Sequence, residues 1–95
     1  MYKIGNSIDI HPLTEGAPLY IGGVKIESEK GCLSHSDGDA LLHSIAESII
    51  GALGKGDLGS LFPDNTKEFE GVRSILFIEK CNEMVEMSQN SVNRL

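Results

Sequence analysis

The chain has 95 residues, enough for one small domain with a modest core. Apolar residues make up 40% of it, with no tryptophan, and 14 acidic against 8 basic side chains leave a formal charge of −6. The basic residues are scattered, which argues against nucleic acid because backbone binding needs clustered cations, and no apolar run approaches the roughly 20 residues of a membrane span.

Residues 2–10, "YKIGNSIDI", predict a strand with β-branched residues, and "PLTEGAP" a turn-rich loop. "LYIGGVKI" is two short apolar runs around Gly22-Gly23, the signature of a tight hairpin. "ESEKGCLSHSDGD" is polar and glycine-bearing, and predicts another loop. From Ala40 the period changes. Leu42, Ile45, Ala46, Ile49 and Leu53 recur at helical spacing to about Gly54, with Asp37 or Asp39 as the cap at the start and Gly54 at the end. "GKGDLGSLFPDNTKEFEG" predicts a long loop of the kind that is often functional. A second helix is predicted over Val72–Met87, with Ile75, Ile78, Asn82 and Val85 in register and Leu76, Phe77 and Met84 beside them. Residues 88–95, "SQNSVNRL", predict a frayed or unrelated tail. The order strand, hairpin, helix, loop, helix gives a single α+β domain with helices packed on one face of a β-sheet. Three strands cover little on their own, so the expectation is a chain that is incomplete or dependent on partners. Cys32 and Cys81 are too far apart for a zinc knuckle or disulfide scaffold and read as reduced thiols in packing positions. No basic-then-apolar leader follows Met1, which favours a cytoplasmic location.

Asp9 and His11 share one face of the predicted strand, where a carboxylate and an imidazole are suited to a divalent metal or to proton relay. The plainer reading is a polar edge-strand pair. His43 lies four residues after Asp39 on one helix face, and reads either as a core histidine bonded to Asp39 or as a metal ligand oriented by it. Asp9, His11 and His43 together offer one oxygen and two nitrogens, a three-ligand zinc set with one position open. Ahead of them, His35, Ser36 and the amides of the first helical turn could receive a phosphate. Asp57 and Asp64 sit among glycines that let backbone approach a ligand, and read either as a solvated turn or as holders of hydroxyls or Mg²⁺.

"IGNSIDIHPL", "PLYIGGVKI", "EKGCLSHSDGDALLH", "IIGALGKGDLGSLFPD" and "FEGVRS" together resemble the N-terminal half of the 2-C-methyl-D-erythritol 2,4-cyclodiphosphate synthase family. The resemblance runs from about Tyr2 to Met87 and implies a partial version of that fold. It implies that Asp9, His11 and His43 are zinc ligands, with Asp39 behind His43, and that His35 is catalytic and positions the diphosphate with Ser36. Substrate binding is implied for Asp9, Ile10 and His11, for Asp57, Leu58 and Gly59 of a mobile loop, and for Phe62, Pro63, Asp64, Asn65 and Thr66. The implied reaction closes a cyclic diphosphate from 4-diphosphocytidyl-2-C-methyl-D-erythritol 2-phosphate and releases CMP, with Zn²⁺ or another divalent cation on the protein and Mg²⁺ on the diphosphate. A homotrimer with sites between subunits is implied as well. The chain carries Asn6, Ser7 and Ile8 where the family shows His-Gly-Phe, and family members continue with further strands, a cytidine-binding loop and a magnesium-binding glutamate. The expectation is a truncated chain whose own activity is in question. The alternative is a catalytically dead zinc-binding or assembly module derived from the family. A generic zinc hydrolase is disfavoured, as no general-base glutamate accompanies the triad.

Overall fold

The protein is described by a computed structural model, which covers residues 2–34, 37–61, 73–88 and 90–92. Among these residues the order is β1 (Leu13–Glu15), β2 (Leu19–Ile21), β3 (Val24–Ile26), β4 (Lys30–Cys32), α1 (Ala40–Leu53), α2 (Leu58–Leu61) and α3 (Ile75–Met87). The α+β class holds, built on two antiparallel two-stranded ladders, β1 with β4 and β2 with β3. In the hairpin, Ile21 faces Val24 across a turn in which Gly22 (φ 63°) and Gly23 (φ 83°) both take the left-handed conformation expected of a two-residue hairpin loop.

The helix expected from Ala40 is α1. Asp39 is its N-cap, accepting from the Leu42 amide at 3.0 Å, and Gly54 ends it at φ 68° while donating to the Ile50 and Gly51 carbonyls. α1 packs against α3 around Ala46, Ile50, Phe77 and Cys81, with Ile49, Leu58, Ile78 and Met84 closing the edges. Cys81 is a free thiol in this core, and burial, with Glu47 nearby, pushes it up to about 11. It packs there as an inert small apolar group.

Several expectations are corrected. Residues 2–12 form no ladder among the described residues, because a strand needs a neighbouring backbone to satisfy its amides and carbonyls. Both flanking loops instead carry strands, β1 and β4, with Leu13 opposite Cys32 and Glu15 opposite Lys30. Gly31 hides β4 from a propensity reading, yet it is needed there: a Cβ at this position would lie 2.0 Å from the Pro18 carbonyl oxygen. The loop after Gly54 contains the short α2, whose Leu58 amide points at both Glu47 carboxylate oxygens (3.2 Å each). The buried face of α3 runs through Phe77, Cys81 and Val85, leaving Ile75 45% exposed and Asn82 on the surface. The apolar residues of this helix are too evenly spread for periodicity alone to choose the face. Of the expected tail, the amides of Ser88 and Asn90 bond back to the Met84 and Val85 carbonyls, while residues 89 and 93–95 lie outside the described residues.

Candidate metal centre

Residues 4–12 keep the two-residue alternation of a strand although no strand pairs with them. Ile4, Ile8 and Ile10 point outward at 85–88% exposure, while Gly5, Ser7, Asp9 and His11 turn in. Gly5 allows the segment to lie directly on α1, since a Cβ there would fall 1.8 Å from the Ser48 carbonyl oxygen and 2.9 Å from the Ala52 Cβ. That close approach carries Asp9 and His11 to the N-terminal end of α1, where His43 is buried on the first turn.

One donor atom from each of Asp9, His11 and His43 lies within 4.8 Å of the others. Asp9 Oδ2 is 3.0 Å from His11 Nδ1 and 3.5 Å from His43 Nδ1. The buried Asp9 Oδ2 and His11 Nδ1 nevertheless form no hydrogen bond of acceptable geometry. Buried polar atoms left without a hydrogen-bond partner are costly, and a cation between these donors would satisfy them. A tetrahedral zinc with bonds of about 2.0–2.2 Å separates its ligand atoms by roughly 3.3–3.6 Å; the Asp9–His43 spacing matches this and the Asp9–His11 pair is tighter, and one carboxylate with two imidazoles is a donor set suited to a divalent cation. The two rings meet edge to face with centroids 5.1 Å apart, and Phe77 closes the inner side of His43 at 5.6 Å. Burial, the largest influence, holds the His43 pKa below the ordinary 6.5; Asp9 pulls it up and His11 pushes it down. A neutral imidazole is the form that ligates metal.

The support around His43 differs from the sequence expectation. Asp39, expected to orient the ring, is fully buried, and its carboxylate accepts from the amides of Gly22 (3.0 Å), Gly23 (2.7 Å) and Leu42 (3.0 Å). It fastens the hairpin turn to the start of α1. The ring nitrogen Nε2 of His43 instead meets the Ser74 hydroxyl at 2.7 Å. Ser74 is in turn bound by Asp37, through its hydroxyl in a very short contact and through its amide at 2.7 Å. Arg73 Nε also donates to Asp37 (3.2 Å), its Nη2 to the Gly23 carbonyl (2.8 Å), and its guanidinium lies 4.3 Å over the Tyr20 ring. Burial pushes the Asp37 carboxyl up, but the bonds from Ser74, Asp39 and Arg73 outweigh it and hold the group below the ordinary 3.8. Ser74 and Asp37 were not singled out for this role by sequence reasoning. Ser74 reads locally as a helix cap, and nothing near it in the chain signals a histidine 31 positions earlier.

Among the described residues, Ile10, Asp57, Leu58 and Gly59 are not part of the Asp9, His11 and His43 group. Ile10 is turned outward at 85% exposure, on the face opposite Asp9 and His11. Asp57 accepts from the Leu61 amide through its carbonyl, Leu58 packs on the helical core, and Gly59 lies within α2. His35, Ser36, Phe62, Pro63, Asp64, Asn65 and Thr66 lie outside the described residues.

Comparison with known proteins bears on the same residues. The model of the YgbB family matches residues 2–95. A 2-C-methyl-D-erythritol 2,4-cyclodiphosphate synthase from Fusobacterium nucleatum is 48% identical over 86 residues, 90% of this chain and 54% of its own length. A solved structure of a 2C-methyl-D-erythritol-2,4-cyclodiphosphate synthase superposes with a TM-score of 0.86 at 44% identity, covering 92% of this chain and 58% of the other. A CDP-bound form of such a synthase gives 0.84 at 42% identity, over the same shares of the two chains. The chain spans about half the length of the curated relatives it matches. With the family match running over residues 2–95, the chain belongs to the YgbB family, among relatives named as 2-C-methyl-D-erythritol 2,4-cyclodiphosphate synthases.

Proposed function

We propose that the chain provides the metal-binding half of a 2-C-methyl-D-erythritol 2,4-cyclodiphosphate synthase, acting in isoprenoid precursor synthesis in the cytoplasm. The observation that carries this reading is the convergence of Asp9 Oδ2 and His11 Nδ1, buried and without a hydrogen bond, with His43 Nδ1 beside them. Asp9, His11 and His43 would hold zinc or a similar divalent cation, which when bound supplies charge neutralisation and Lewis acidity to phosphate oxygens.

In the proposed reaction an oxygen of the 2-phosphate attacks the β-phosphorus of the diphosphocytidyl substrate. The bond from that phosphorus to the bridging oxygen breaks, and CMP departs with the electron pair. The attacking group belongs to the substrate, so the protein's work is alignment and the dispersal of negative charge. His35 and Ser36 are assigned to the diphosphate, with His35 steadying charge in the transition state. Asp57, Leu58 and Gly59 and the run Phe62 to Thr66 are assigned to the erythritol part, and Mg²⁺ to the diphosphate as a second cation. An acidic chain accommodates so anionic a substrate only through such local devices. A homotrimer with sites between subunits is part of this reading, and the outward isoleucine face of residues 4–10 is available for such packing.

Metal analysis of the purified protein tests the reading. About one zinc per chain is expected, with most of it lost in His43→Ala, because two remaining ligands hold zinc poorly. A folded His43→Ala protein with unchanged zinc would overturn the assignment.

A further inference from the structure

We propose that Asp37 and Ser74 are positioning residues for the metal centre: a two-step hydrogen-bond relay holds His43 with its proton on Nε2 and leaves Nδ1 as the metal donor. The inference rests on the metal reading above but can be tested without metal. It follows from counting protons along the relay. The Asp37 side chain is 3% exposed and accepts at both oxygens, Oδ2 from the Ser74 amide and Arg73, Oδ1 from the Asp39 amide (3.1 Å) and the Ser74 hydroxyl. Four donors converging on one carboxylate favour its ionised form, and its lowered pKa agrees. An ionised carboxylate has no proton to give, so the short contact with Ser74 must use the single hydroxyl proton of the serine.

With that proton committed, Ser74 Oγ can only accept from its other neighbour, His43 Nε2 at 2.7 Å. Nε2 therefore carries hydrogen. With Nε2 engaged by Ser74, the second nitrogen, Nδ1, is the one left to offer its lone pair to a metal. This is the atom that lies 3.5 Å from Asp9 Oδ2 in the ligand cluster. Asp37 also holds the Ser74 amide at the start of α3, where Ser74 makes no side-chain cap bond of its own. The donor state of a ligand on α1 is thereby tied to how α3 docks. Reversing the relay should block the site. In Asp37→Asn the amide can donate to Ser74, whose hydroxyl proton is then free to turn toward Nε2 and drive the ring proton onto Nδ1.

Two measurements test this. In the metal-free, ¹⁵N-labelled protein, long-range proton–nitrogen spectra report the tautomer of each of only three histidines. His43 should show a protonated Nε2 and an unprotonated Nδ1, shifting toward protonated Nδ1 in Asp37→Asn. In the second, zinc affinity is read by chelator competition and cobalt(II) absorption reports ligand geometry. Ser74→Ala should weaken zinc binding by roughly 10–100-fold and alter the cobalt spectrum, with Ser74→Thr restoring both. A protonated Nδ1 in the parent protein overturns the relay, whether or not any variant folds. So does unchanged zinc affinity in folded Ser74→Ala. If the parent binds no zinc while His43 shows the Nε2 proton, the relay stands and the metal reading fails.

Discussion

The helical pair and the N-terminal segment reach the same site by opposite routes. α1 and α3 satisfy their backbone hydrogen bonds internally and need only bury a stripe, so Ala46, Ile50 and Cys81 have no exposed surface. Residues 4–12 have the alternation of a strand but no described strand beside them, and three isoleucines of the segment face outward. What holds this segment is its inner face: Gly5 seated on α1, and Asp9 and His11 turned toward His43. The difference teaches that the candidate metal centre lies across a seam between a self-sufficient element and a dependent one. A bound cation would act there as a staple as well as a cofactor.

The largest effect should come from the helical side. Ile50→Ala removes a fully buried side chain from the centre of the core and is expected to cost about 2–5 kcal/mol, measured as a lowered midpoint in chemical denaturation. A loss below about 1 kcal/mol would show that the pair is not the stable body of the molecule.

Next comes the segment. In Gly5→Ala the new methyl would collide with the Ser48 carbonyl 1.8 Å away. Relief requires the segment to lift from α1 at an overpacking cost of about 1–3 kcal/mol. Because about 1.4 kcal/mol is a factor of ten in binding, zinc affinity should fall by roughly tenfold or more. The helical content, read by circular dichroism, should stay near the parent value. Equal loss of helix and metal would mean that the two regions fold as one unit and would break the comparison.

The smallest effect concerns pH. The folded Asp37 carboxyl lies below its ordinary 3.8, so the folded state holds that proton less readily than the unfolded chain. Its contribution is complete above about 3.8 and is lost as pH falls through the folded value. Metal-free protein should therefore lose stability in that acid range, and Asp37→Asn should flatten this part of the profile. An unchanged acid limb in Asp37→Asn would show that the bonds from Ser74 and Arg73 do not distinguish the charged form.

Much of this was legible from local chemistry. The helix from Ala40, its Asp39 cap and Gly54 stop, and the Gly22-Gly23 turn each depend on neighbours within a few positions, and each is where the sequence places it. The grouping of Asp9, His11 and His43 was legible from residue type and a family resemblance, and the three donor atoms do lie together. Only the tertiary structure decided the rest. Strand pairing of β1 with β4 joins residues 17 or so apart, and Gly31 conceals it by looking like a breaker. The buried face of α3 was settled by what α1 presents to it, since its own apolar residues leave more than one face open. The support of His43 passed from Asp39, four residues away, to Ser74, 31 residues away at the start of α3, which Asp37 in the loop before α1 holds in turn. The physical reason is common to all three cases. Helix periodicity, caps and tight turns are set by short-range sterics and hydrogen bonds, whereas a ladder partner, a packing face or the neighbour of a ring nitrogen exists only after distant backbone has been brought alongside.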